Sequence, residues 1–243
     1  MNVINTIAPL KSVNNMKVDT SMLQTVNCIP AKSRAVKYIV LHYTGNQKDT
    51  AKSNARYFQT GGRGASAHYF VDDSSICQSV ALKNKAWHCG TKGEYYHACR
   101  NADSIGIEMC CSGGYQVSKK TQENAAYLTA ELCKLIGITA AEVDKYVIRH
   151  YDVTHKKCPA QWVADSKEYN EFNEMVKYIL KHGTMEKKGE EMIENSKVIF
   201  DGKEVPVRRI LKDGTNFIAV RDIGKIFNCE VSAKGSIPVL KSK

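Results

Sequence analysis

The stretch "VKYIVLHY", residues 36–43, decides the fold reading. It is a short apolar run, rich in β-branched and aromatic side chains, broken only by Lys37 before it ends in His42 and Tyr43. Such a run lacks the polar alternation of a half-solvated strand and reads as a strand buried on both faces, the kind found where helices cover a sheet. Working outward, "SIGIEMC" (104–110) repeats the pattern and "YVIRH" (146–150) gives a shorter version. Helical patterns lie between them. "DTAKSNARYFQT" (49–60) opens on Asp49 as the expected N-cap and ends before the breaker "GGRG". Residues 119–136 place Leu128, Leu132, Leu135 and Ile136 on one face, and residues 167–181 do the same with Tyr169, Phe172, Val176 and Ile179. "SAHYFV" and "ICQSVA" flank "DDSS" as a hairpin over 66–81. Strands alternating with helices predict an α/β layer architecture.

The pattern changes after residue 183. "TMEKKGEEMIENS" is charged and has no apolar period, so residues 184–195 read as a linker between a domain over 1–183 and a small α+β domain over 196–243. Two Asp-Gly pairs, 201–202 and 213–214, are hairpin-type turn signals within that tail. At about 50 residues the tail is near the lower limit for folding alone.

Composition narrows the function classes. Apolar residues make up 43% and charged residues 25%, the balance of a globular protein rather than a disordered one. No apolar run approaches the roughly 20 residues that span a bilayer, and the N-terminus has neither a basic start nor a continuous apolar segment. A chain held in the cytoplasm, with no membrane span, is therefore expected, and its nine cysteines are read as reduced and mostly buried. The net charge of +10 suits any polyanion. The lysines are scattered and no aromatic-basic platform accompanies them, so a nucleic-acid partner is not expected.

The chemistry concentrates in "RHYDVTHKKCPA", residues 149–160. His150 and Cys158 are eight positions apart, and thiolate with imidazole favours zinc. A third ligand must come from elsewhere. His42, at the C-terminal end of the buried strand, is the candidate, because α/β sheets place their sites at that end. Asp152 is read either as a partner orienting His150 or as a loop cap. "WHCGTKGEYYHAC" puts Cys89 and Cys99 on either side of a loop carrying His97; that spacing is weak evidence for metal, and a contact between the two thiols is the better expectation.

Taken together, "YIVLHYTGN", "SAHYFVDD", "AWHCG", "NADSIGIEMC" and "RHYDVTHKKCP" resemble the type 2 N-acetylmuramoyl-L-alanine amidases, over roughly residues 24–165. That family includes phage endolysins and shares its fold with the peptidoglycan recognition proteins. The resemblance implies a central mixed β-sheet flanked by helices and one catalytic Zn²⁺ held by His42, His150 and Cys158. Glu108 falls at the position that handles a proton and Lys156 at the one that stabilises an oxyanion, with Lys157 as an internal control. His68, His88 and Trp87 are implied as substrate-binding residues, and His155 is expected to be exposed. The implied reaction is hydrolysis of the amide between N-acetylmuramic acid and L-alanine in bacterial peptidoglycan, after release from the cytoplasm to the cell wall. The alternative is a peptidoglycan-binding module without catalysis. The tail looks like the copper amine oxidase N-terminal-like modules of bacterial wall proteins, which implies wall targeting, for example to teichoic acid or another anionic polymer, or self-association. "KKGEEM" adds a further expectation: codons upstream of Met192 can spell a ribosome-binding sequence, giving a tail fragment from Met192 that associates with the full chain.

Overall fold

The structure is a computed structural model describing residues 2–4, 10–185, 194–200, 202–212, 215–234 and 237–242. It divides into two compact units, Met1–Met185 and Glu186–Lys243. Residues 186–193, which include Met192 and most of the expected linker, lie outside the described residues.

The first unit begins with the short strands β1 (Asn2–Ile4), β2 (Ser12–Val13) and β3 (Met16–Asp19). Strands β4 (Cys28–Ile29) and β5 (Arg34–Val36) lead into β6 (Tyr38–Tyr43). Helix α1 (Ala51–Gln59) comes next, followed by β7 (Tyr69–Val71), β8 (Ile76–Gln78), β9 (Lys85–Ala86) and β10 (Ser104–Met109). Helices α2 (Lys119–Ile136) and α3 (Val143–Tyr146) precede β11 (Val147–Arg149), and α4 (His150–Thr154), α5 (Ala160–Ala164) and α6 (Ser166–His182) complete the unit.

One seven-stranded sheet, in the order β11-β6-β10-β7-β8-β3-β2, organises these elements. It is mixed. Strands β11, β6, β10 and β7 run parallel, β7 and β8 form the antiparallel hairpin, and β3 joins β8 in parallel. The period of two along each strand then sorts the side chains. Ile39 and Leu41 of β6, with Ile105 and Ile107 of β10, meet Leu128 and Leu132 of α2 and Phe172, Val176 and Ile179 of α6 in the main core. The alternate residues Tyr38 and Val40 face the other way, into a smaller cluster with Cys89, Cys99, Ile148 and Val153. Phe70 and Cys110 pack on Ala51 and Ala55 of α1. By the same alternation His42, Gly106 and Glu108 belong to the face opposite α2 and α6. All nine cysteines are free, and all but Cys229 are buried.

Two local expectations are corrected. The N-cap of α1 is Thr50, whose hydroxyl accepts from the Ser53 N–H at 3.1 Å, and not Asp49. The Asp49 carboxylate is drawn away to accept from the Cys111 N–H at 2.8 Å and from the Asn46 and Asn54 amides. Second, β11 stops at Arg149, and His150 is the first residue of α4 rather than the end of a strand.

In the second unit β12 (Glu194–Phe200), β13 (Lys203–Lys212) and β14 (Thr215–Ile218) form an antiparallel sheet. Phe200 pairs with Lys203 and Lys212 with Thr215, while Asp201, Asp213 and Gly214 of the expected turns lie outside the described residues. Helix α7 (Val220–Ile226) and the hairpin β15 (Cys229–Lys234) and β16 (Ile237–Ser242) follow. The Asp222 carboxylate ties α7 to β13, accepting from the Arg208 backbone N–H at 2.9 Å and its guanidinium at 3.0 Å. No helix among the described residues is long and apolar enough to cross a membrane.

Candidate metal centre

Three parallel strands deliver the site. His42 is the fifth residue of β6, Glu108 is its register partner on β10, and β11 hands the chain to His150 at its C-terminal end. The chain then makes one turn of helix and reverses at His155, which takes a left-handed φ of 56°. Residues 156–158 return beneath α4, where the Tyr151 N–H donates to the Cys158 carbonyl at 3.0 Å. This fold-back brings Cys158 to the two histidines. One ligand-type atom each from His42, His150 and Cys158 lies within 4.8 Å of the others, and all three residues are buried. The Cys158 Sγ is 3.8 Å from His42 Nδ1.

The electrostatics are those of a donor cluster kept from water. Burial, then the charges of His150, His88 and Lys156, holds the His42 imidazole well below its ordinary range. Burial, then Lys156 and His88, pushes His150 down to about 4, and burial, then the Glu108 charge, pushes the Cys158 thiol up to about 12. Both ring nitrogens of His150 are buried and have no hydrogen-bond partner among the described residues. Buried imidazoles are ordinarily satisfied, and an unmade bond of this kind costs about 1–3 kcal/mol. The cluster therefore suits a divalent cation of borderline softness, which takes imidazole and thiolate together.

Glu108 faces the same region. Its Oε2 is cut off from solvent and finds no hydrogen-bond partner among the described residues. Burial raises its carboxyl to about 8, Lys156 pulling the other way and Asp49 adding to the rise. Lys156 is exposed at the turn, and its charge acts on Glu108, His42, His150 and Cys158 alike. Lys157 is also exposed.

His68 and His88, both expected to meet substrate, are buried in this structure. His68 has no exposed surface: its Nδ1 accepts from the Gly106 N–H at 3.0 Å, and its Nε2 lies 3.1 Å from the Asn84 carbonyl and 2.9 Å from the buried Arg34 guanidinium. His88 is 8% exposed and lies between His42 and Ser104, its Nδ1 3.1 Å from His42 Nε2 and its Nε2 3.1 Å from the Ser104 hydroxyl. Trp87 is half-buried next to it. Asp152 caps α4 by accepting from the Arg149 N–H at 2.8 Å and pairing with its guanidinium at 2.7 Å, so of the two roles considered it takes the cap.

Sequence reasoning missed the supports of the site. Asn101 Oδ1 accepts from the backbone N–H of His88 and of Cys89, fixing the "AWHC" turn. His155 is exposed, and its ring stacks on Tyr96 from the 90–98 loop with centroids 3.5 Å apart. Cys89 and Cys99 share one buried cluster, and the hydrogen bond between them lowers the Cys89 thiol while raising that of Cys99. One signal was available for the glycine: Gly106 stands inside a buried strand, where a missing side chain usually marks a close approach.

A helix-covered mixed sheet with a buried His/His/Cys cluster at the C-terminal ends of parallel strands defines an α/β protein with a candidate metal centre. The N-acetylmuramoyl-L-alanine amidase family matches residues 32–161, and the chain belongs to that family. It is 34% identical over 175 residues to the N-acetylmuramoyl-L-alanine amidase CwlL of Bacillus licheniformis, covering 68% of this chain and 48% of that one. It is 35% identical over 158 residues to BlyA of Bacillus subtilis strain 168, covering 60% and 42%. The chain thus spans about half the length of these relatives. Among solved structures, a mutant endolysin from Bacillus subtilis superposes with a TM-score of 0.55 at 27% identity, covering 66% of this chain and 99% of that one. The catalytic domain of XlyA gives 0.54 at 27% identity, covering 67% and 99%.

Proposed function

We propose that the chain is a zinc-dependent N-acetylmuramoyl-L-alanine amidase that hydrolyses the amide between N-acetylmuramic acid and L-alanine in bacterial peptidoglycan. The observation that carries this is the convergence of His42, His150 and Cys158, buried and with both His150 ring nitrogens unpartnered, in a chain of the amidase family. The residues fit the ion. Two neutral imidazoles and a thiol that burial keeps protonated form a set that only a bound cation would favour as His, His and thiolate.

When bound, zinc supplies Lewis acidity toward an amide carbonyl and toward water. The chain's own residues do the rest. Glu108 shares the face and register of His42, and in its ionised form, which the Lys156 charge favours against burial, the carboxylate accepts a proton from the attacking water and returns it to the departing L-alanine nitrogen. Lys156, exposed two residues before Cys158 and with its charge acting on all three cluster residues, supplies the positive charge that steadies the carbonyl oxygen as it becomes negative. Residues 1–183 serve as the catalytic domain. Residues 196–243, with 10 Lys/Arg against 5 Asp/Glu, serve as a module for anionic wall polymers such as teichoic acid. Synthesis in the cytoplasm followed by release to the wall, as for a phage endolysin, fits these parts.

The test uses the purified full chain and Cys158→Ser on Gram-positive walls. Zinc near one per chain, loss of turbidity and new N-terminal L-alanine are expected in the wild type, and all three are lost in the variant. Zinc bound without release of L-alanine would replace catalysis with peptidoglycan binding.

A further inference from the structure

We infer that His88 is a positioning residue for the metal centre: it locks His42 in the tautomer that carries its proton on Nε2 and leaves Nδ1 free to bind the ion. The inference rests on the zinc site proposed above and is drawn from one chain of hydrogen bonds. The Ser104 hydroxyl lies 2.6 Å from the Arg100 carbonyl oxygen. A carbonyl only accepts, so the single hydroxyl proton points at Arg100. Toward His88 Nε2, 3.1 Å away, Ser104 can then only accept, which places a proton on His88 Nε2. An uncharged imidazole protonated on Nε2 carries its lone pair on Nδ1, and His88 Nδ1 faces His42 Nε2 at 3.1 Å. His42 Nε2 must therefore be the donor. Its remaining lone pair, on Nδ1, is the atom that faces Cys158 Sγ at 3.8 Å. The Arg100 backbone carbonyl thus sets, through Ser104 and His88, which nitrogen of His42 is presented to the cluster.

The slot that holds His88 supports the same role. A Cβ at Gly106 would stand 2.5 Å from His88 Cγ, 2.8 Å from Nδ1 and 2.9 Å from Cδ2, so the ring lies flat against the bare glycine backbone. Asn101 fixes the backbone N–H of His88 at 3.0 Å. Ring plane and backbone are both held, so His42 meets an acceptor at a constant place. Outer partners of this kind usually change metal affinity about 10–100-fold when removed.

The test separates the two nitrogens of His88. In His88→Asn the amide oxygen takes the place of Nδ1 and still accepts from His42; in His88→Gln the amide nitrogen takes the place of Nε2 and still donates to Ser104, but the acceptor toward His42 is gone. Apo full-length protein is titrated with Zn²⁺ against a chromophoric chelator, and thermal melts of the apo forms report on folding. His88→Gln is expected to bind zinc about 10–100-fold more weakly and His88→Asn within a few-fold of wild type. Equal loss in both variants, or no loss in either, overturns the inference. Nitrogen-15 spectra of the wild type give a reading independent of the variants: zinc on His42 Nδ1 with the proton on Nε2 supports the lock, and ligation through Nε2 refutes it. If the wild type takes up no zinc, the proposed function fails, and the tautomers of His42 and His88 in the metal-free protein still decide the inference.

Discussion

Replacing Gly106 by alanine adds one methyl group to β10 and tests whether the His88 ring is held as tightly as its surroundings indicate. The methyl carbon would stand 2.5 Å from His88 Cγ, and non-bonded carbons need about 3.5–4.0 Å. The ring must retreat by about 1 Å or more, or β10 must move. Movement of β10 is resisted on both sides: Gly106 pairs with Val40 of β6, and its N–H and carbonyl both bond to His68, each at 3.0 Å. If the ring yields, its 3.1 Å contact with His42 Nε2 opens beyond the roughly 3.5 Å limit of a hydrogen bond. Overpacking costs about 1–3 kcal/mol and a buried donor left unpaired another 1–3 kcal/mol. With about 2–4 °C per kcal/mol for a domain of this size, the melting temperature of the metal-free protein should fall by about 4–24 °C. Differential scanning calorimetry on the apo full chain measures this. A melting temperature within about 1 °C of wild type would mean that the slot has room to spare, and the close-packing premise would be wrong.

Further outcomes follow from other parts of the structure. Glu108 has a folded pKa near 8, above the usual carboxylate value, so the unfolded chain ionises first; the metal-free protein should lose stability as pH rises from about 4.5 to about 8 and change little above. Glu108→Gln should flatten that slope in denaturant melts and reduce L-alanine release about 10²–10⁴-fold while zinc content stays at wild-type level. Lys156→Ala should lower kcat on walls and Lys157→Ala should not; equal effects would remove the oxyanion role from Lys156. Tyr96→Ala deletes a ring stacked 3.5 Å from His155, a contact worth about 0.5–1.5 kcal/mol, and should speed proteolysis between residues 90 and 100, whereas Tyr96→Phe should not. Phe172→Ala empties the core beneath Trp162 and should cost about 3–5 kcal/mol in urea unfolding; a loss under about 1 kcal/mol would show that the core collapses around the gap.

The sequence carried the frame well because the frame is periodic. Residues 36–43, 104–110 and 146–150 became β6, β10 and β11, and the two apolar stripes became α2 over Lys119–Ile136 and α6 over Ser166–His182. The positions that escaped are those where long-range contacts override local preference. Asp49 is a good N-cap by type, yet the Cys111 N–H, sixty-two residues away, competes for its carboxylate. His68 and His88 are polar residues near "SAH" and "AWH", which by default suggests a surface. Both are buried because Arg34, Ser104 and Gly106, on other strands, supply partners and space. The short strands β2 and β3 at the sheet edge have too few residues to show a period. The convergence of His42, His150 and Cys158 was legible by residue type; the distances required the fold-back at His155.

That fold-back has a consequence for engineering. The turn carrying Lys156 and Cys158 is propped from outside its own sequence: Tyr96 stacks on His155 and donates its N–H to the Val153 carbonyl at 3.0 Å. The 90–100 and 149–159 segments therefore form one exchangeable cassette although about fifty residues separate them. In a chimera built between this chain and a relative, moving either segment alone would leave a mismatched joint beside the cysteine, whereas moving both preserves the joint.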